Sequence, residues 1–152
     1  MGIKSFLSLP FARFIVSKNK HWKKNAVKAQ EKTMLSLVNK AKNTSFGKEH
    51  FFSRIKNYED FKRYIPIRDY EKIKPYIKNI IDGEKNVLWP KRPIYFCKTS
   101  GTTSGTKYIP ISKESMPNHI IAARDAILTY VAETKNTAIV KGKMIFLQGS
   151  PR

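Results

Sequence analysis

The sequence is poorest in residues that crosslink, bind metal or carry negative charge. One cysteine, Cys97, stands among 152 residues, which excludes an intrachain disulfide and fits a reducing compartment. Free cysteine is usually packed as a small apolar side chain, so Cys97 is expected to be a buried strand residue. His21, His50 and His119 lie far apart with no second ligand at zinc spacing, and the pattern implies no zinc site. The apolar stretch around residues 11–16 is interrupted by Pro10 and Arg13 and followed by no small-residue cleavage site. It is too short for a membrane span and poorly formed as a secretory signal. Met1-Gly2-Ile3-Lys4-Ser5-Phe6 has the glycine of a myristoylation signal, but Phe6 stands where that signal needs Ser or Thr. The expected location is cytoplasmic.

Acids are scarce as well. Eleven Asp and Glu oppose 30 Lys and Arg, giving a net charge of +19. Such a balance raises a nucleic-acid- or membrane-surface-binding module as an alternative function. The sharp version places Lys18, Lys20, Lys23, Lys24, Lys28 and Lys32 along the first helices as a phosphate-tracking face. Against it, the basic residues are scattered, lysine greatly outnumbers arginine, and no nucleic-acid module signature is present. A solvated lysine-rich surface is the simpler reading, and nucleic acid is not the expected partner.

What is present is enough apolar residue for a folded domain. The apolar fraction is 41%, in the range of globular proteins, and the length suits about one domain. Residues 5–17 read as a short amphipathic helix or apolar arm. From Trp22 to Lys42 the apolar residues Ala26, Ala29, Met34, Leu37, Val38 and Ala41 recur mostly three or four apart, predicting an amphipathic helix. Residues 43–47 end it with turn chemistry. Asn57 is placed to cap a helix carrying Tyr58, Phe61 and Tyr64, stopped by Pro66. A second helix starts at Asp69, is expected to break or restart at Lys74-Pro75, and ends at Gly83. Residues 86–93 read as a loop with Val87, Leu88 and Trp89 packed down. Residues 94–98 and 107–111 read as strands, Ser115 as the cap of a helix with Ile120, Ile121, Ala123, Ile127, Leu128 and Val131 on its apolar face, and 143–147 as a last strand. The order is helices, then strand, loop, strand, helix and strand, an α/β pattern.

Between the first two strands lies Thr99-Ser100-Gly101-Thr102-Thr103-Ser104-Gly105-Thr106-Lys107. Its nine residues hold two glycines, six hydroxyls and a terminal lysine, with no acid. Such a loop cannot bury a side-chain core, but it can present backbone N–H groups, hydroxyls and an ammonium to an anion. Spacing excludes the commonest cradles. A Walker A loop needs four residues between its glycines and Lys followed directly by Ser or Thr; here three separate Gly101 from Gly105, and Tyr108 follows Lys107. A dinucleotide fingerprint needs a third glycine, and Ser104 does not sit in a Gly-x-Ser-x-Gly elbow. A hairpin turn with polar decoration remains the alternative.

The run resembles the phosphate-binding motif of adenylate-forming enzymes, a Ser/Thr-Gly-Thr-Thr/Ser-x-Gly sequence with lysine close behind. Its surroundings resemble one branch in particular, the Gretchen-Hagen (auxin-responsive promoter) acyl-acid amido synthetases. The matching stretches are Thr44-Ser45-Phe46-Gly47, residues 61–70, Lys74-Pro75-Tyr76-Ile77 and residues 83–90, and the resemblance runs from about residue 20 onward. It implies the amino-terminal portion of the large domain of an adenylate-forming enzyme. The activity implied is an ATP-dependent ligase that joins a small carboxylic acid to an amino acid through an acyl-adenylate, with ATP and Mg²⁺. Ser100, Gly101, Thr102, Thr103, Gly105 and Lys107 are then the phosphate-binding residues, and no catalytic or metal-ligating side chain is assigned.

Enzymes of this family are several times longer. The resemblance therefore makes residues 1–152 an incomplete amino-terminal portion, without the carboxy-terminal domain, and an inactive fragment by expectation. Its strand at 144–147 would leave an apolar edge and a poorly folding chain. A non-catalytic scaffold of the same fold is a further alternative.

Overall fold

The computed structural model describes residues 3–99 and 105–143. They are helical apart from one small antiparallel pair of strands and divide into two compact bodies, Asn25–Asn118 and the described parts of Met1–Lys24 with His119–Arg152.

The larger body begins with α2 (Ala26–Ala41). The helix predicted from Trp22 onward is broken at Asn25, whose φ of −125° and ψ of 34° are not helical, so Trp22 belongs to the preceding helix. Periodicity cannot register such a break, because apolar spacing continues through one misplaced residue. Val38 and Ala41 are buried, whereas Ala26 and Leu37 remain exposed.

The turn expected at residues 43–47 is in fact the start of a short helix, α3 (Ser45–Glu49). Thr44 makes it. Its hydroxyl donates to the Ala41 carbonyl at 2.7 Å and accepts from the Gly47 N–H at 3.0 Å, joining the end of α2 to the first turn of α3. Gly47 is required there by proximity: a Cβ would stand 2.1 Å from the Ala41 carbonyl oxygen. The Ser45 and Phe46 N–H groups are free at the helix start, and they donate to the Asn86 and Val87 carbonyls at 2.8 and 3.0 Å. One short motif thus ties together three segments.

A 3₁₀ turn (Phe52–Arg54) follows, then α4 (Tyr58–Tyr64) and α5 (Tyr70–Ile81). The expected cap forms, with Asn57 accepting from the Asp60 N–H at 2.9 Å, and Asp69, the expected start of the second helix, caps it by accepting from the Lys72 N–H at 3.0 Å. The break expected at Lys74-Pro75 does not. α5 runs through Pro75 as one helix ended by Gly83 at φ 103°. A proline there removes one hydrogen bond and crowds the preceding turn, at about 3 kcal/mol. Ile77 and Ile80 on the same helix are buried, and two such side chains offset that at about 1.5–3 kcal/mol each.

Two apolar clusters form the core of this body. Val38, Ala41, Phe52 and Ile55 pack with Phe46, Phe61 and Trp89, while Ile77, Ile80 and Val87 pack with Tyr70, Leu88 and Phe96. Residues 87–89 are packed down as expected, with Val87 only 1% exposed. Strands β1 (Tyr95–Lys98) and β2 (Tyr108–Ile111) pair antiparallel with Tyr95 opposite Ile111 and Lys98 opposite Tyr108. Cys97 lies in β1 but is exposed, not buried. A strand in a two-stranded ribbon has only one covered face, and alternation puts Phe96 on it instead.

In the smaller body, α1 (Ile3–Lys24) is longer than the expected 5–17 and continues through Pro10. Ala12 and Ile15 pack against Leu128 and Val131 of the helix α6 (Met116–Thr134), which begins immediately after Ser115, although the Ser115 hydroxyl donates to the Ser112 carbonyl at 3.0 Å instead of accepting a helix N–H. Asn19 donates to Asp125 at 2.7 Å and Ser5 to the Thr137 hydroxyl at 3.1 Å. Ile120 and Ile121, expected on the packed face of α6, are exposed. The strand expected at 143–147 lies outside the described residues apart from Lys143. No described helix is long and apolar enough to cross a membrane.

Candidate functional site

The base of the glycine-rich loop is the turn end of the β1–β2 hairpin, next to the Lys98–Tyr108 pair. The Thr99 N–H donates to the Lys107 carbonyl at 3.0 Å, and the Lys107 N–H returns a bond to the Thr99 hydroxyl at 3.2 Å. Thr99 therefore closes the loop with both its backbone and its side chain, a role that the hydroxyl count alone did not separate from those of its neighbours. Gly105 has φ 75°, a left-handed conformation that L side chains rarely adopt, and no described residue lies within 4 Å of where its Cβ would be. Its glycine is needed for backbone direction, and the space beside it is open.

Of the six expected phosphate-binding residues, Ser100, Gly101, Thr102 and Thr103 lie outside the described residues. Gly105 and Lys107 are brought to the same end of the hairpin. The Lys107 ammonium lies over the Tyr70 ring, 5.6 Å from its centroid, within the range of a cation–π attraction. The Tyr70 hydroxyl accepts the Tyr108 N–H at 2.8 Å. Tyr70, Lys74, Ile77, Lys78, Thr106 and Tyr108 line an open cleft of about 480 Å³ beside this end. Tyr70 was legible in the sequence only as the end of a matching stretch next to a helix cap.

A second cluster of polar groups lies in the helical part of the same body. Arg68 Nη2 donates to His50 Nε2 at 3.0 Å, and the Arg68 guanidinium lies over the rings of Phe46 and Tyr76 at 5.8 and 6.0 Å. The Tyr76 hydroxyl donates to Glu49 at 2.5 Å. Burial lowers the His50 pKa, and the nearby Arg68 charge lowers it further, while Glu49 and the backbone of Tyr64 pull weakly the other way. Because arginine can only donate, Nε2 must be unprotonated, which requires a neutral imidazole. Burial of the Tyr76 hydroxyl and its bond to Glu49 raise its pKa. The cluster is spent on holding α3, the residue-68 loop and α5 together.

Among the described residues no group of His, Cys, Asp and Glu is arranged to hold a metal ion. Of the groups described at the hairpin end, the Lys107 ammonium is a charged donor, and it lies over the Tyr70 ring.

The arrangement of the described residues is a two-stranded hairpin set against a helical layer, with Tyr70 touching the strand that leaves the glycine-rich loop. The family described as "GH3 family N-terminal domain" matches residues 16–150, and the chain belongs to it. Jasmonoyl–L-amino acid synthetase JAR4 of Nicotiana attenuata is 28% identical over 130 residues, covering 84% of this chain and 22% of that protein. Indole-3-acetic acid-amido synthetase GH3.15 of Arabidopsis thaliana is 29% identical over 98 residues, covering 63% and 16%. Indole-3-acetic acid-amido synthetase GH3.17 of the same plant is 36% identical over 63 residues, covering 40% and 10%. The chain thus spans about a fifth or less of the length of these relatives. One relative is named as an amino acid synthetase and two as amido synthetases, in agreement with the resemblance read from the sequence.

Proposed function

We propose that this chain is the part of an ATP-dependent acyl-acid amido synthetase that receives the β- and γ-phosphates of the nucleotide. Family membership across residues 16–150 carries the reading, with the glycine loop as its chemical content. MgATP supplies activation of a small carboxylic acid as an acyl-adenylate, which an amino acid then converts to the amide. Attack at the α-phosphate moves negative charge onto departing pyrophosphate. Donors aimed there stabilise the transition state more than the ground state. Gly101 and Gly105 let backbone N–H groups approach the phosphate oxygens, Ser100, Thr102 and Thr103 donate hydroxyl bonds, and Lys107 adds a positive charge. Mg²⁺ arrives with the phosphates rather than on a protein ligand set. The pockets for adenine, ribose and the acid are not assigned to this chain, and residues 1–152 alone do not adenylate an acid.

In equilibrium dialysis the 152-residue chain is expected to retain MgATP, inorganic triphosphate to displace it, and adenosine not to. Thr102→Ala combined with Lys107→Ala should weaken retention at least about tenfold, the worth of one or two charge-assisted bonds. Unchanged retention would remove the loop from the mechanism. Acid-dependent exchange of pyrophosphate into ATP by residues 1–152 would overturn the inactivity.

A further inference from the structure

The hairpin has few attachments to the helical layer, and one of them sits directly at the exit of the glycine loop. In an antiparallel pair alternate residues turn their N–H groups away from the partner strand. Tyr108 is such a residue on β2, and its outward N–H is taken by the Tyr70 hydroxyl at 2.8 Å. Two residues on, the same edge carries Pro110, which has no N–H to satisfy. Tyr70 therefore accepts the edge donor nearest the loop. The same side chain offers its ring face to the Lys107 ammonium at 5.6 Å. One residue thus holds both the backbone and the charge with which the loop ends.

Tyr70 is itself well supported. It is the first residue of α5, directly after the cap in which Asp69 accepts the Lys72 N–H, and that helix is fixed by buried Ile77 and Ile80. A group anchored on a packed helix can set the direction of a glycine-rich segment that has no core of its own.

We propose that Tyr70 is a positioning residue for phosphate binding: it fixes the loop exit through Tyr108 and keeps the Lys107 ammonium at the loop rather than in bulk water. The proposal rests on the phosphate-loop reading above. Its hydroxyl acts on backbone geometry and its ring on charge placement, so the two parts separate by substitution.

The test uses the 152-residue chain titrated with inorganic pyrophosphate and Mg²⁺ by phosphorus NMR, alongside hydrogen exchange of the Tyr108 amide. Tyr70→Phe, which keeps the ring, should speed Tyr108 exchange and weaken pyrophosphate by about three- to tenfold, as expected for one hydrogen bond. Tyr70→Leu should weaken it further. In a Lys107→Met background Tyr70→Leu should lose part of its effect, because the two groups act together. A merely structural tyrosine would give the same effect in both backgrounds and loosen the α5 amides equally, and either result overturns the proposal. If Lys107→Met or Thr102→Ala weakens pyrophosphate while both Tyr70 variants bind normally, the loop reading stands and the role of Tyr70 falls. If no loop variant changes binding, the phosphate reading falls and takes this role with it.

Discussion

The helical layer α2–α5 and the β1–β2 hairpin belong to one compact body and are built in opposite ways. In the helical layer nearly every marked residue is occupied with folding. Thr44, Asn57 and Asp69 cap helices, Val38, Ala41, Phe52, Ile55, Ile77, Ile80 and Val87 are buried, and Arg68 is engaged with His50 and two aromatic rings. In the hairpin Ile94, Tyr95, Cys97, Tyr108 and Ile109 are exposed, and among its described residues Ile111 alone is buried. A two-stranded ribbon is marginal by itself, so it persists here because Phe96, Ile111 and Tyr70 attach it to the helices. Much of the family resemblance is therefore architectural. The Thr44-Ser45-Phe46-Gly47 stretch and the run ending at Tyr70 are explained by packing and capping, and the Thr99 hydroxyl closes the base of the loop.

Two glycines make the contrast measurable. Gly47→Ala would force a methyl group to within 2.1 Å of the Ala41 carbonyl oxygen, an overlap with the backbone that no side-chain rotation can relieve. A loss of about 3 kcal/mol or more is expected, read as a collapse of the urea midpoint. A stable Gly47→Ala protein would mean that α2 and α3 are not held as close as described. Gly105→Ala should cost less, about 1–2 kcal/mol, because only the left-handed φ of 75° is penalised and the space beside it is open. Its effect should appear as faster exchange of the Thr99 and Lys107 amides with the urea midpoint nearly unchanged. A global loss of stability would make the hairpin part of the core.

The third and smallest effect belongs to the helical layer and is read by pH. The folded pKa of His50 is lowered, chiefly by burial and then by Arg68, so the unfolded chain takes up its proton first. The stabilisation from neutral His50 is complete above the unfolded value of about 6.5. It declines as pH falls from there toward the lower folded value and is lost below it. Thermal midpoints of the wild type should fall over that window, and His50→Gln should flatten the slope. An unchanged slope would detach the Arg68–His50 pair from stability.

Much of this fold was legible in the sequence where the governing interaction is short. Asn57, Asp69 and Gly83 act on backbone groups within four residues, so their roles as caps and terminator follow from residue type and spacing. The two strands around a glycine-rich turn follow for the same reason. Where burial competes with local preference, the local reading fails. Pro75 should interrupt a helix but is carried through by buried Ile77 and Ile80. Cys97 should be buried but lies on the open face of a ribbon with no second layer over it. The candidate site divides in the same manner. Glycines, hydroxyls and a lysine in one loop drew attention to residues 99–107, but nothing near Tyr70 in the sequence pointed to Tyr108, 38 positions away.

By itself, then, the sequence determined the family, the Asn57 cap and the hairpin, and it raised the anion-binding reading of residues 99–107. Each of these is set by residue type and spacing over a few positions. Only the tertiary structure decided that Gly47 must lack a side chain, that His50 must be neutral beside Arg68, and that Tyr70 holds the exit of the loop. Those depend on which distant surfaces meet, and that is chosen by the burial of apolar faces rather than by any local preference.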